Sequence, residues 1–110
     1  MKIAVPVDNG RVSAHFGHCA AFELYEVNEA EKTTFSKSTL TAPPHEPGLL
    51  PRWLHERAAD VIITGGMGPR AQALFAEHGI QVIVGAPPSP PDEVVRAYLD
   101  GTLQAGMNTC

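Results

Sequence analysis

Apolar side chains alternate at Ile3, Val5 and Val7, with Ala4 and Pro6 facing the other way, so the chain opens on a strand over residues 2–7. Pro6 has no N–H for a ladder and marks a sheet edge or the point where pairing stops; we expect pairing to stop there. Phe22, Leu24, Tyr25 and Val27 alternate more loosely and predict a second strand over 21–28. The polar link Asn28-Glu29-Ala30-Glu31 turns the chain into a third strand, Lys32 to Leu40, antiparallel to the second, whose threonines and serines suit a half-exposed position. Three prolines around His45 and Glu46 then exclude both helix and central strand.

From Leu49 to Ala58 the period changes to that of a helix, with Leu50, Trp53, Leu54 and Ala58 as its apolar stripe and Pro51 in its first turn. Val61-Ile62-Ile63, inside a strand over 59–64, has no polar alternation, as in a parallel strand covered on both faces. A glycine turn follows, then a helix from Pro69 to His78 closed by Gly79, and a second buried strand over 80–84. Ser89 as N-cap, Pro90 at the first helical position and Asp92 completing a capping box start the last helix, which turns Val94, Val95, Tyr98 and Leu99 inward and stops at Gly101.

The order is β-β-β-α-β-α-β-α. Right-handed crossovers place the fourth and fifth strands parallel to the first. The expected fold is α/β: a mixed five-stranded sheet of order 3-2-1-4-5 with helices on its faces, the ribonuclease-H-like arrangement, with residues 1–110 as one domain. The tail over 102–110 is short and uncapped; fully extended it reaches up to roughly 33 Å, enough to return Cys110 toward the opposite end of the sheet.

Charge and composition narrow the function. A net charge of −4 offers no basic surface to a phosphate backbone, which excludes nucleic acid as the expected partner. No apolar run nears the roughly 20 residues of a membrane helix, and the first residues lack a signal-peptide pattern. The expected compartment is the cytoplasm, with Cys19 and Cys110 reduced.

In this topology the loops after the first, third, fourth and fifth strands leave one edge, the edge at which open α/β sheets bind ligands. There lies the segment Asp8 to Cys19, D-N-G-R-V-S-A-H-F-G-H-C, with imidazole and thiol groups suited to metals at His15, His18 and Cys19. Cys19 reads equally as a soft ligand and as a small buried apolar residue. His45, on a loop at the same edge, and Cys110, as a terminal thiol, are weaker candidates. The glycine turn Gly65-Gly66-Met67-Gly68-Pro69-Arg70 presents backbone N–H groups at a helix start, a cradle for an anion, with Arg70 adding charge and Met67 serving as soft thioether or packing residue. It lacks the ending of a P-loop and the spacing of a dinucleotide fingerprint, so nucleotide binding is not supported.

Three segments together resemble one family: M-K-I-A-V-P-V-D over 1–8, S-A-H-F-G-H-C with Phe22, and G-G-M-G-P-R-A over 65–71 followed by Gly79-Ile80. The chain is similar to the dinitrogenase iron-molybdenum cofactor biosynthesis family, whose members are found with and without nitrogen fixation. The resemblance implies the ribonuclease-H-like fold, no catalytic turnover, and carriage of an iron-sulfur or iron-molybdenum-sulfur cluster or its precursor between metallocofactor assembly proteins. It carries over to His15, and less securely to His18 and Cys19, as contacts.

Three other readings compete. A metal-free regulatory or interaction domain would bind a small anion at the glycine turn. A nuclease needs several converging carboxylates, yet Asp8 stands at the loop edge while Asp60 begins its strand at the far edge. A Cys19 nucleophile lacks a visible orienting group. A homodimer joined across the loop edge is compatible with the pattern and would complete an open ligand set.

Overall fold

The computed structural model describes residues 1–44, 46 and 48–108, the side chain of residue 18 excepted. Strands β1 (Lys2–Asp8), β2 (Arg11–Val12), β3 (Ala21–Asn28), β4 (Thr33–Thr41), β5 (Val61–Ile63) and β6 (Gln81–Ile83) form one mixed sheet. Helices α1 (Leu49–Glu56), α2 (Pro69–Glu77) and α3 (Pro91–Asp100) complete the chain order, and the short 3-10 turn Phe16–His18 lies between β2 and β3. Neighbours run β4-β3-β1-β5-β6, with β2 beside β1. β3 is antiparallel to β1 and to β4, while β5 is parallel to β1 and to β6. Hence β1, β4, β5 and β6 point the same way. Among the described residues no helix is long and apolar enough to cross a membrane.

The alternation of β1 decides which side is filled by what. Ile3, Val5 and Val7 pack with Tyr25, Val61 and Ile63 against Val94 and Val95 of α3. Ala4, Phe22, Leu24 and Ile62 face the other way, against Leu50 and Leu54 of α1 and Phe75 of α2. Val61, Ile62 and Ile63 are all buried because helices cover both faces there.

Four expectations are corrected. The sheet has a sixth strand, β2, which pairs Val7 with Val12 and Asp8 with Arg11. Pro6 is neither at a sheet edge nor a general stop, since β1 is central and pairs with β3 through Val7. Its missing donor falls where β1 changes partners on one side, from β5 at Ile3 and Ala4 to β2 at Val7 and Asp8; there its carbonyl still accepts the Ser13 N–H at 2.8 Å.

Ala58 does not belong to the stripe of α1. It lies past the helix end at φ 62°, exposed, while the Ala58 N–H bonds His55 O and the Ala59 N–H bonds Leu54 O. That pair of bonds is a Schellman closure, which needs a left-handed residue there. Nor does Asp92 close a capping box. The N-cap of α3 is Pro90 with no side-chain cap, and the Asp92 carboxylate instead accepts the Tyr25 hydroxyl at 2.5 Å and Lys37 Nζ at 3.0 Å. These donors hold the Asp92 carboxyl below its usual range, the Tyr25 bond most of all.

Candidate functional site

The loops that leave β1, β5 and β6 are bonded to one another through their backbones. Gly65 N–H donates to Ser13 O at 3.0 Å, and Phe16 N–H donates to Gly66 O at 3.1 Å. Gly85 N–H reaches Gly65 O at 2.9 Å, and Val12 N–H reaches Ser89 O at 2.9 Å. Buried Thr64 adds its hydroxyl, 3.2 Å from Gly66 O and 3.4 Å from Ser13 O. The segment carrying His15 to Cys19 is therefore held against the glycine turn by groups that would otherwise be buried without partners.

Ser13 sets the local shape. Its hydroxyl donates to His15 O at 2.9 Å and accepts the His15 N–H at 3.2 Å. This closes a turn that leaves His15 exposed and drives Phe16 inward. Phe16 is almost fully buried and meets Phe75 of α2 edge to face. The backbone of His18 lies in the 3-10 turn that follows. Cys19 is half-buried against the Phe22, Met67 and Phe75 side of the core. Asp8 caps the end of this segment, its carboxylate accepting the Ala20 N–H at 2.7 Å.

Burial pushes the Cys19 thiol up to about 12, and the nearby Asp8 carboxylate adds to the shift, while a backbone hydrogen bond opposes them. At neutral pH Cys19 is a protonated thiol. A metal would have to displace that proton, so capture through Cys19 strengthens as pH rises.

The residues of the glycine turn separate into different roles. A Cβ on Gly65 would sit 2.9 Å from both Ala14 Cα and Ser13 O, so glycine stands there because the two loops touch. Met67 is fully buried and its side chain is core. Its backbone is clamped by the Asn108 carboxamide, which accepts the Met67 N–H at 3.0 Å and donates to Met67 O at 2.8 Å. Two donors of the expected anion cradle, Gly65 N–H and Met67 N–H, thus already have partners. Gly68 has open space where a Cβ would stand, and Arg70 beside it is exposed. Both border a pocket of about 290 Å³, walled by Phe16, Leu50, Pro51 and Leu74. A larger hollow of about 610 Å³, bordered by Tyr25, Lys37 and Asp92, is on the other face of the sheet and does not include these loops.

Asn108 is a residue that sequence reasoning missed. The tail crosses back over the sheet end, Gly106 N–H donating to Gly85 O at 2.7 Å. Gly85 is at φ 81°, and a Cβ there would lie 2.1 Å from Gly106 O. No periodic signal marks such a contact. Ser13 stood inside the quoted motif, and its position two residues before His15 was the readable sign of a hydroxyl-closed turn.

Of the five metal candidates, the structure places His15 and Cys19 at the joined loops. The side chain of His18, and His45 and Cys110 entirely, lie outside the described residues. Among the described residues no group of three or more His, Cys, Asp or Glu side chains is placed to hold a metal ion. The described candidates, one imidazole and one thiol, are fewer than the four protein donors of a closed site for a bare ion.

A model of the family described as dinitrogenase iron-molybdenum cofactor matches residues 1–101. The uncharacterized protein MJ0580 of Methanocaldococcus jannaschii is 33% identical over 107 residues, which span 94% of this chain and 90% of that protein. The crystal structure of PH0822 superposes with a TM-score of 0.90 at 26% identity, covering 99% of this chain and 97% of the other. The apo form of the orange protein from Desulfovibrio gigas superposes with a TM-score of 0.76 at 24% identity, covering 97% and 93%, a likeness of fold. The family match ends with α3, so the tail contacts lie beyond it.

Proposed function

Because this chain belongs to the dinitrogenase iron-molybdenum cofactor family, we propose that it binds and carries an iron-sulfur or iron-molybdenum-sulfur type cluster, or a precursor of one, during metallocofactor assembly. The observation that carries the proposal is the bonding of the His15–Cys19 segment to the glycine turn through Phe16 N–H and Gly65 N–H. The segment that carries the His15 imidazole and the Cys19 thiol is thereby joined to the turn that starts α2, where Phe16, Gly68 and Arg70 border one pocket. The cargo is anionic, and the N-terminal end of α2 favours negative charge. His15 and Cys19 supply contacts, His18 adds to them, and His45 and Cys110 are secondary. Gly68 and Arg70 line the approach. We place the chain in the cytoplasm as a carrier rather than a catalyst, one binding domain on a ribonuclease-H-like scaffold, exchanging cargo with assembly proteins.

Anaerobic reconstitution tests this directly. Purified protein is offered iron, sulfide and molybdate, desalted, and read by metal analysis and visible absorption, with His15→Ala and Cys19→Ser alongside. Stoichiometric uptake that falls in both variants is the expected result. Uptake unchanged in both moves the site away from the joined loops. No uptake under any condition removes the carrier reading for the isolated chain and leaves a metal-free anion-binding domain.

A further inference from the structure

His55 and His78 lie away from the joined loops, and the carrier proposal does not use them. His55 is in the last turn of α1 and His78 is the C-cap of α2. Both helices start at the loop end of the sheet and run to the opposite end, so the two imidazoles meet there. Their ring centroids are 4.8 Å apart with planes inclined at 37°.

That spacing suits a shared metal ion. Metal–imidazole bonds of about 2.0–2.1 Å put the ion about 3.2 Å from each ring centroid, so two rings on one ion at a near-tetrahedral angle have centroids about 5 Å apart. The backbones are already held in place. Leu54, next to His55, and Phe75, one turn before His78, are both fully buried. The His55 ring is exposed and the His78 ring half-buried, so each has room to reorient about its own side-chain bonds. The setting also favours positive charge, because the negative ends of two helix dipoles converge there.

We propose that His55 and His78 form a second metal site, separate from the cargo site, for a divalent first-row transition ion of the zinc, nickel or copper class. Imidazole pairs favour these ions over magnesium or calcium. No third His, Cys, Asp or Glu joins the pair among the described residues, so water fills the remaining positions and the ion exchanges readily. Bound there, the ion links the ends of α1 and α2.

The test uses the full chain and Ni²⁺ alone, with imidazole proton resonances followed by NMR at pH 7.5. Paramagnetic broadening should reach His55 and His78 together. His55→Gln, at an exposed position, and His78→Gln, at a half-buried one, should each weaken that event about tenfold or more. Ni²⁺ should also raise the melting temperature of the wild type and not of either variant. Broadening confined to His15, His18 and His45 overturns the proposal. So does an affinity at His55 that is unchanged by His78→Gln. Iron, sulfide and molybdate uptake should be the same in the His55→Gln protein as in wild type, so the two sites fail or stand independently.

Discussion

Phe16 and Phe75 meet edge to face, ring centroids 5.3 Å apart at 74°, and this contact couples the loop that carries His15 and Cys19 to the buried side of α2. Phe75 is fully buried and Phe16 nearly so. Phe16→Leu keeps most of the apolar burial and loses the aromatic pair, at a cost of about 0.5–1.5 kcal/mol. Phe16→Ala leaves a cavity under the loop and costs about 3–5 kcal/mol. Chemical denaturation measures both, and amide exchange over residues 13–19 should quicken in the order wild type, Leu, Ala.

The two glycines that flank the turn should respond oppositely to one added methyl group. Gly65→Ala forces a Cβ into Ala14 Cα and Ser13 O, each 2.9 Å away, and should destabilise by about 1–3 kcal/mol. Gly68→Ala adds its methyl to open space at an ordinary φ of −68°, so its stability should stay within about 0.5 kcal/mol of wild type. With the fold intact, reduced metal uptake by Gly68→Ala in the reconstitution experiment would report close approach of the cargo to the turn. Unchanged uptake would mean that the cargo does not touch Gly68.

Cys19 should resist alkylation at neutral pH. Burial, with Asp8 next to it, holds its thiol protonated to about pH 12, against 9.0 for an ordinary cysteine. The reaction with iodoacetamide, followed in a Cys110→Ser background, should therefore rise steeply only above pH 9. Asp8→Asn should move the rise to lower pH. The linkage has a definite sign: between about 9 and about 12 the folded chain holds a proton that the unfolded chain has lost. The Cys19 contribution to stability is thus constant below pH 9 and falls as pH rises through that window. A Cys19→Ser protein should lack that decline.

All three helices close with the same pair of bonds, but with different residues in the left-handed position. Gly79 ends α2 at φ 72° and Gly101 ends α3 at φ 75°, whereas Ala58 ends α1 at φ 62°. A left-handed conformation costs a residue with a Cβ about 1–2 kcal/mol. Glycine removes that strain and gives back part of the gain as unfolded-chain entropy. Ala58→Gly should stabilise the protein by up to about 1 kcal/mol, measured by thermal or urea denaturation.

What the sequence by itself determined is local. The alternation of Ile3, Val5 and Val7 named the two faces of β1, and those residues do pack on opposite sides from Ala4. Val61-Ile62-Ile63 announced a strand buried on both faces, and Pro69 and Gly79 bracket α2. Such signals are legible because neighbours two, three or four residues apart share one environment. The position of the candidate loop after the first strand and of the glycine turn before α2 was legible for the same reason.

Only the tertiary structure decided the rest, because it depends on groups that meet across long stretches of chain. Arg11 and Val12 are too few to show a period, and they form a strand only because β1 has an unpaired side beyond Pro6. Asp92 had the spacing of a cap, but Tyr25 and Lys37, distant in sequence, offered its carboxylate stronger partners. Asn108 reaches Met67 only because Gly85 carries no side chain where the tail backbone crosses it at Gly106. His55 and His78 become neighbours only when α1 and α2 lie side by side.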